Sequence, residues 1–153
     1  MFNLFRKKPD TLVEHRFKKL LISLPSNWEY SMEEGDQQAC FDPKSQSTLR
    51  INIVEAIPPH LETEEKSIAL LTDGQPYTTT LNGCLLTSPV SKDHIEDGNH
   101  ITLITWRLIN IAGEKKILAI LTYTVLSEEK DSVKEKGILD LIENTLNNAG
   151  LIY

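Results

Sequence analysis

Residues 101–126 read ITLITWRLINIAGEKKILAILTYTVL, two apolar runs separated by one break at Ala112-Gly113-Glu114. Side chains of a strand alternate between its two faces. In the second run one alternate set is Ile117, Ala119, Leu121, Tyr123 and Val125, and the other is Leu118, Ile120, Thr122, Thr124 and Leu126. Both sets are largely apolar, so we expect both faces of this strand to be covered. A strand of this kind belongs at the centre of a layered structure, with other elements packed on each side of the sheet.

Length and composition favour one domain. The chain has 153 residues, of which 40% are hydrophobic, enough for one sizeable core. We expect a mobile basic arm over residues 1–9 and a single domain over residues 10–153. The start of the chain lacks the apolar core of a signal peptide, and no run approaches the ~18 apolar residues of a membrane span. The sequence therefore predicts a cytoplasmic protein, with a membrane-peripheral role for the Phe2 to Lys8 arm as the least favoured hypothesis.

The charge is unevenly distributed. The formal net charge is −6, yet six of the 16 basic residues lie in the first 20 positions, so the rest of the chain is more acidic than the total suggests. Nucleic acid binding requires Lys and Arg against the phosphates, which an acidic body does not supply. The composition therefore excludes nucleic acid as the expected partner and favours a basic protein partner.

Turn residues divide the rest of the chain into short elements. Strands are predicted over residues 20–24, 37–41 and 48–54. Thr11 and Glu14 have the spacing of a capping box, which favours a short helical turn over residues 10–16, with an extended lead-in as the alternative. The segment from Tyr77 to Asp93 stays open between strand and loop, although Asn82-Gly83 indicates a tight turn within it.

Two helices are predicted. The first spans Glu62 to Thr72, with acidic residues in its first turn and Asp73-Gly74 at its end. The second follows a capping-box spacing at Ser132 and Glu135. Its apolar positions recur every three or four residues at Ile138, Leu141, Ile142, Thr145, Leu146 and Ala149. This stripe is expected to lie on one face of the sheet.

No sequence motif indicates catalysis. There is no GxSxG elbow, phosphate loop or GxGxxG, and the four histidines are scattered without metal-ligand spacing. Cys40 and Cys84 lie in strand-like segments and are interpreted as small buried hydrophobes. We therefore predict no catalytic residues, no cofactor and no metal, which favours a non-enzyme but leaves an enzymatic role open.

Three segments resemble the PsbP-like superfamily, the α/β/α sandwich shared by Ran-binding Mog-type proteins, photosystem-associated PsbP proteins and several uncharacterised bacterial families. They are Leu24-Pro25 followed by Trp28, the stretch from Phe41-Asp42-Pro43 to Leu49-Arg50-Ile51, and Leu121-Thr122-Tyr123-Thr124. The chain looks most similar to a bacterial family of unknown function. The resemblance implies an α+β fold, an α/β/α sandwich with a central, mainly antiparallel sheet and helices on both faces. It implies protein binding more than catalysis, by fold analogy alone.

The leading hypothesis is a non-catalytic module that binds another macromolecule, of an immunity or accessory type. Its expected partner contacts are Glu62, Glu64, Glu65 and Trp28. The alternative is a small-ligand-binding or enzymatic domain whose site is assembled from residues distant in the sequence.

Overall fold

The computed structural model describes residues 11–57 and 63–152, which form two sheets and two helices. The strands are β1 Leu12–Phe17, β2 Leu20–Pro25, β3 Glu29–Glu33, β4 Gln37–Phe41, β5 Thr48–Ala56, β6 Tyr77–Thr79, β7 Leu85–Thr87, β8 Val90–Glu96, β9 Asn99–Asn110, β10 Lys116–Leu126 and β11 Gly150–Leu151. The helices are α1 Glu64–Leu71 and α2 Val133–Asn148, and a 3-10 turn occupies Glu34–Asp36. The arm predicted over residues 1–9 lies outside the described residues.

The two apolar runs of residues 101–126 form a hairpin at the centre of the larger sheet. β9 and β10 pair antiparallel from Asn110 opposite Ile117 to Ile101 opposite Leu126. β5 pairs with the other edge of β10. The order is β3-β4-β5-β10-β9-β7-β6, with β8 beside the first part of β9, and every pairing is antiparallel. The central position predicted for this strand is confirmed.

One face of the large sheet carries the main core. The β10 set that begins at Ile117 points into it, together with Trp106 from β9. Helix α2 and the small sheet, of order β1-β2-β11, cover this face. Ile142 and Leu146 of α2 are fully buried, so the apolar stripe predicted for this helix does pack on the sheet. Burying these side chains supplies the main driving force for folding.

Helix α1 lies on the opposite face, which confirms helices on both faces and an α+β fold. Leu71 and Ile68 of this helix pack against Ile109 and Leu118 of the sheet. The cover is partial, however, because α1 has only eight residues.

Beyond α1 this second face of β10 is half-exposed, contrary to the expectation that both faces are covered. Thr122 and Thr124 lie there, and polar neighbours satisfy them. Thr122 is 3.3 Å from the hydroxyl of Thr105, and Thr124 accepts from Nη1 of Arg50 at 3.3 Å. These hydrogen bonds satisfy the threonine hydroxyls on a half-exposed face. Aliphatic side chains at the same positions would need to be covered.

The N-terminal helical turn predicted from Thr11 and Glu14 is wrong. Residues 12–17 form β1, which pairs with β2 along its whole length, from Leu12 opposite Pro25 to Phe17 opposite Leu20. Strand pairing outweighs a local capping signal because it satisfies a row of backbone groups at once. The segment from Tyr77 to Asp93 contains β6, β7 and the start of β8, and the predicted turn is present at Gly83, whose φ is +78°.

Candidate functional site

Helix α1 presents the acidic side chains that the sequence singled out. Thr63 caps the helix, because its hydroxyl accepts from the backbone N–H of Lys66 at 3.2 Å. Glu64 and Glu65 occupy the first turn, where the helix dipole favours negative charge. Ser67 is buried toward the sheet, so the two carboxylates remain on the exposed side.

A groove follows this exposed side of α1. Its volume is about 520 Å³, and its lining comes from the helix, the turn after it and the first residue of β6. The lining residues are Glu64, Glu65, Ile68, Ala69, Thr72, Gly74, Gln75 and Tyr77. We call this feature the α1 groove.

The α1 groove combines an apolar floor with an acidic end. Ile68, Ala69 and the Tyr77 ring, which is 44% exposed, supply apolar contact surface. The two glutamates are its charged groups, and no Lys or Arg is found among the described residues that line it. Such a surface suits a side chain with a hydrocarbon stem and a cationic end, for which an aromatic face adds further attraction.

The structure brings together only two of the four predicted contact residues. Glu64 and Glu65 line the α1 groove, while Glu62 lies outside the described residues. Trp28 is 7% exposed and belongs to the main core. Its indole therefore packs in the core and does not extend the contact surface.

The two cysteines are free and buried, as predicted. Cys40 is fully buried, and this burial raises its pKa to about 12. Burial likewise raises the pKa of Cys84. A thiolate is the reactive form, so neither side chain is suited to nucleophilic chemistry near neutral pH. Within residues 11–57 and 63–152, no three His, Cys, Asp or Glu side chains gather closely enough to hold a metal ion.

A buried carboxylate in α2 was not foreseen. Glu135 is 5% exposed and accepts two hydrogen bonds, from the hydroxyl of Tyr123 at 2.6 Å and from that of Ser47 at 2.9 Å. Burial, and then the bond to Glu135, raise the pKa of Tyr123. Ser132 caps the helix as predicted, by accepting from the Glu135 N–H at 3.2 Å. The glutamate half of the predicted capping box is not formed, because the Glu135 carboxylate binds Tyr123 and Ser47 instead. Glu135 stands three residues before Ile138 on the apolar stripe, and that spacing indicates an inward side chain.

Two further cavities border α2. One of about 310 Å³ lies at the start of the helix, beside Ser132 and Lys134. The other, of about 640 Å³, lies between the helix and Leu12 of β1. Glu135 lines the first cavity, but its oxygens already accept the two hydrogen bonds described above. The arrangement is that of a structural carboxylate.

No protein-family model and no curated protein matches this chain. Among the described residues, no helix is long and apolar enough to cross a membrane.

Solved structures with low sequence identity share the fold. A protein from Bacteroides thetaiotaomicron is 14% identical with a TM-score of 0.59, and the match covers 88% of this chain and 46% of that one. LpqN, involved in cell envelope biogenesis of Mycobacterium tuberculosis, is 12% identical with a TM-score of 0.55, covering 95% of this chain and 91% of its own. The Ran-binding protein Mog1p of Saccharomyces cerevisiae is 9% identical with a TM-score of 0.54, covering 94% and 97%.

This chain thus spans nearly all of two of these proteins and under half of the Bacteroides thetaiotaomicron protein. At such identities the likeness concerns the fold and carries no residue roles. The chain has the Mog1/PsbP-like fold that the sequence resemblance implied.

Proposed function

We propose that this protein is a non-catalytic binding module that holds a basic, amphipathic segment of another protein in the α1 groove. The observation that carries the proposal is the pairing of an apolar floor with two exposed carboxylates in one open groove. No ion pair to Glu64 or Glu65 is found within residues 11–57 and 63–152. Both side chains are exposed, so a partner can reach them.

The chemistry of the groove selects the kind of partner. Lys or Arg side chains of a bound segment meet the carboxylates, while its aliphatic side chains cover Ile68 and Ala69. A cation over the Tyr77 ring adds about 0.5–1 kcal/mol at an exposed site. The acidic composition of the chain after residue 20 steers such a partner toward the surface.

The same proposal includes the superfamily, the cellular location and the biological role of the protein. We assign it to a bacterial branch of the PsbP-like superfamily with a cytoplasmic location. An immunity-type protein that neutralises a basic toxin is one version of the role. Fold analogy supports a binding function, since Mog1p is a Ran-binding protein with the same fold.

Fluorescence anisotropy tests the α1 groove directly. The probe is a fluorescein-labelled peptide of alternating Lys and Leu, and its counterpart replaces every Lys by Glu. We expect the basic peptide to bind and the acidic one to fail. The double variant Glu64→Lys/Glu65→Lys should weaken binding of the basic peptide roughly tenfold or more, equivalent to about 1.4 kcal/mol.

The matched control is Glu128→Lys/Glu129→Lys, which makes the same charge change at two exposed residues away from the groove. This control should change affinity less than threefold. Tyr77→Ala should weaken binding without any change in charge. Equal losses in the two double variants would mean that net charge alone attracts the peptide, and the α1 groove would then not be the binding site.

A further inference from the structure

A second cavity, on the other side of the turn that follows α1, has a different chemistry. Its volume is about 220 Å³, and it lies over the partly covered face of the large sheet. Strands β7, β8 and β9 and the turn at residues 73–75 supply its lining. These segments are distant in the sequence, so the cavity exists only in the folded chain.

Two cations line this cavity. Arg107 projects from β9, and Lys92 projects from β8, where it stands opposite Leu103. Within residues 11–57 and 63–152, no carboxylate forms an ion pair with either of them. Nη1 of Arg107 donates to the carbonyl oxygen of Leu71 at 3.0 Å, at the end of α1. The guanidinium has four other N–H groups, and these can donate to a ligand in the cavity.

A buried hydroxyl adds a third donor. Thr87 is 3% exposed and lines the cavity, and its oxygen accepts from the backbone N–H of Arg107 at 2.8 Å. No acceptor for the hydroxyl proton is found in the described part of the chain. A hydroxyl group can donate as well as accept, so its proton can still bond a group in the cavity.

The remaining lining limits the size and charge of a ligand. Asp73 lines the same cavity, so the side chains together carry a formal charge of about +1 at neutral pH. A monoanion balances that charge, whereas a phosphate dianion leaves one excess negative charge beside Asp73. Val90 and Leu103 provide an aliphatic wall.

We propose that this cavity binds the carboxylate of a small aliphatic acid, held by Arg107, Lys92 and the Thr87 hydroxyl. The hydrocarbon part of the ligand lies against Val90 and Leu103. A carboxylate accepts two parallel hydrogen bonds from a guanidinium, which fixes its orientation. This site is separate from the α1 groove and does not depend on the function proposed for that groove.

Titration of the isotope-labelled full chain with sodium butyrate, followed by amide NMR shifts, tests the site. Sodium chloride matches the ionic strength, and butyramide supplies the same shape without charge. We expect butyrate to cause saturable shifts at Thr87, Leu103 and Arg107, with a dissociation constant on the order of 1–10 mM. Butyramide and inorganic phosphate should bind at least tenfold more weakly.

Variants separate the two cationic donors, Lys92 and Arg107, from general charge. Lys92→Ala changes an exposed side chain and should weaken butyrate binding threefold or more. Arg107→Lys keeps the charge but loses the planar fork, and it should weaken binding by a similar factor. Lys44→Ala, at an exposed lysine of the cavity beside α2, should leave affinity unchanged.

Four results would each overturn the proposal. They are shifts that never saturate, equal binding of butyramide, phosphate binding as tightly as butyrate, and unchanged affinity in both Lys92→Ala and Arg107→Lys. The Glu64→Lys/Glu65→Lys variant should bind butyrate normally. Loss of peptide binding in that variant with butyrate binding retained distinguishes the two sites.

Discussion

Replacing Tyr123 by phenylalanine removes one hydrogen bond from the core and changes little else. The Tyr123 hydroxyl donates to Oε2 of Glu135 at 2.6 Å, and both side chains are at least 95% buried. In the variant the carboxylate keeps only the bond from Ser47. A hydrogen bond to a charged group contributes about 1.5–3 kcal/mol to stability. At a buried position water cannot replace the lost donor, so the carboxylate keeps the cost of its desolvation.

We therefore expect Tyr123→Phe to lower the free energy of unfolding by about 2 kcal/mol. For a chain of this length, that corresponds to a fall in Tm of about 4–8 °C. Urea unfolding followed by circular dichroism measures the free energy, and an unchanged dependence on urea would show that both proteins unfold between the same two states.

The matched control is the same substitution at Tyr30. Its hydroxyl lies 2.6 Å from Nε2 of His15, so the two hydrogen bonds have equal length, but Tyr30 is only partly buried. A bond of this kind contributes about 0.5–1.5 kcal/mol. If Tyr123→Phe lowers the free energy of unfolding no more than Tyr30→Phe does, Glu135 is solvated in the folded protein. The reasoning from its burial then fails.

Three further predictions concern two core side chains and the N-terminal cap of α2. Burial raises the pKa of Cys40 from 9.0 to about 12, so its contribution to stability is complete below pH 9 and is lost as the pH rises toward 12. Above pH 9 the free energy of unfolding should therefore fall less steeply with pH in Cys40→Ala, by up to about 1.4 kcal/mol per pH unit. An unchanged slope would contradict the raised pKa of Cys40. Leu121→Ala in the central strand should cost about 2–5 kcal/mol in urea unfolding, while Leu81→Ala, at a side chain that is 82% exposed, should stay within about 0.5 kcal/mol. Ser132→Ala should cost about 1 kcal/mol by the same measurement, since it removes the cap of α2; a neutral result would mean that water replaces the cap.

The centre of the fold was predictable because its signals are local. A strand with apolar side chains on both faces indicates the middle of a sheet, and β10 lies between β5 and β9. The cap at Ser132 likewise lies next to the helix that it begins, whereas the cap at Thr63 was not predicted. Short windows of sequence contain all of this information.

The errors arose where distant pairing decides the structure. Thr11 and Glu14 have capping-box spacing, but β1 forms because β2 offers it a complete set of backbone partners. Similarly, Thr122 and Thr124 sit on a partly open face because Arg50 and Thr105 satisfy their hydroxyls. No local pattern contains those partners.

The candidate site divides in the same way. The acidic first turn of α1 was predictable from helix electrostatics, but the opposite wall of the α1 groove comes from Tyr77. Trp28 follows a turn, and nothing near it in the sequence indicates that its indole packs inward. The cavity between Lys92 and Arg107 depends on the register of β8 against β9, which a single sequence does not specify.

The order of strands around β10 has a consequence for folding kinetics. β9 and β10 are joined by a short loop and form a long hairpin, a step that takes on the order of 1–10 μs in isolated hairpins. Docking of β5 must instead close the loop that contains α1, β6, β7 and β8, at a larger entropic cost. We therefore expect the hairpin to form first and the docking of β5 to limit the rate at which the native protein accumulates.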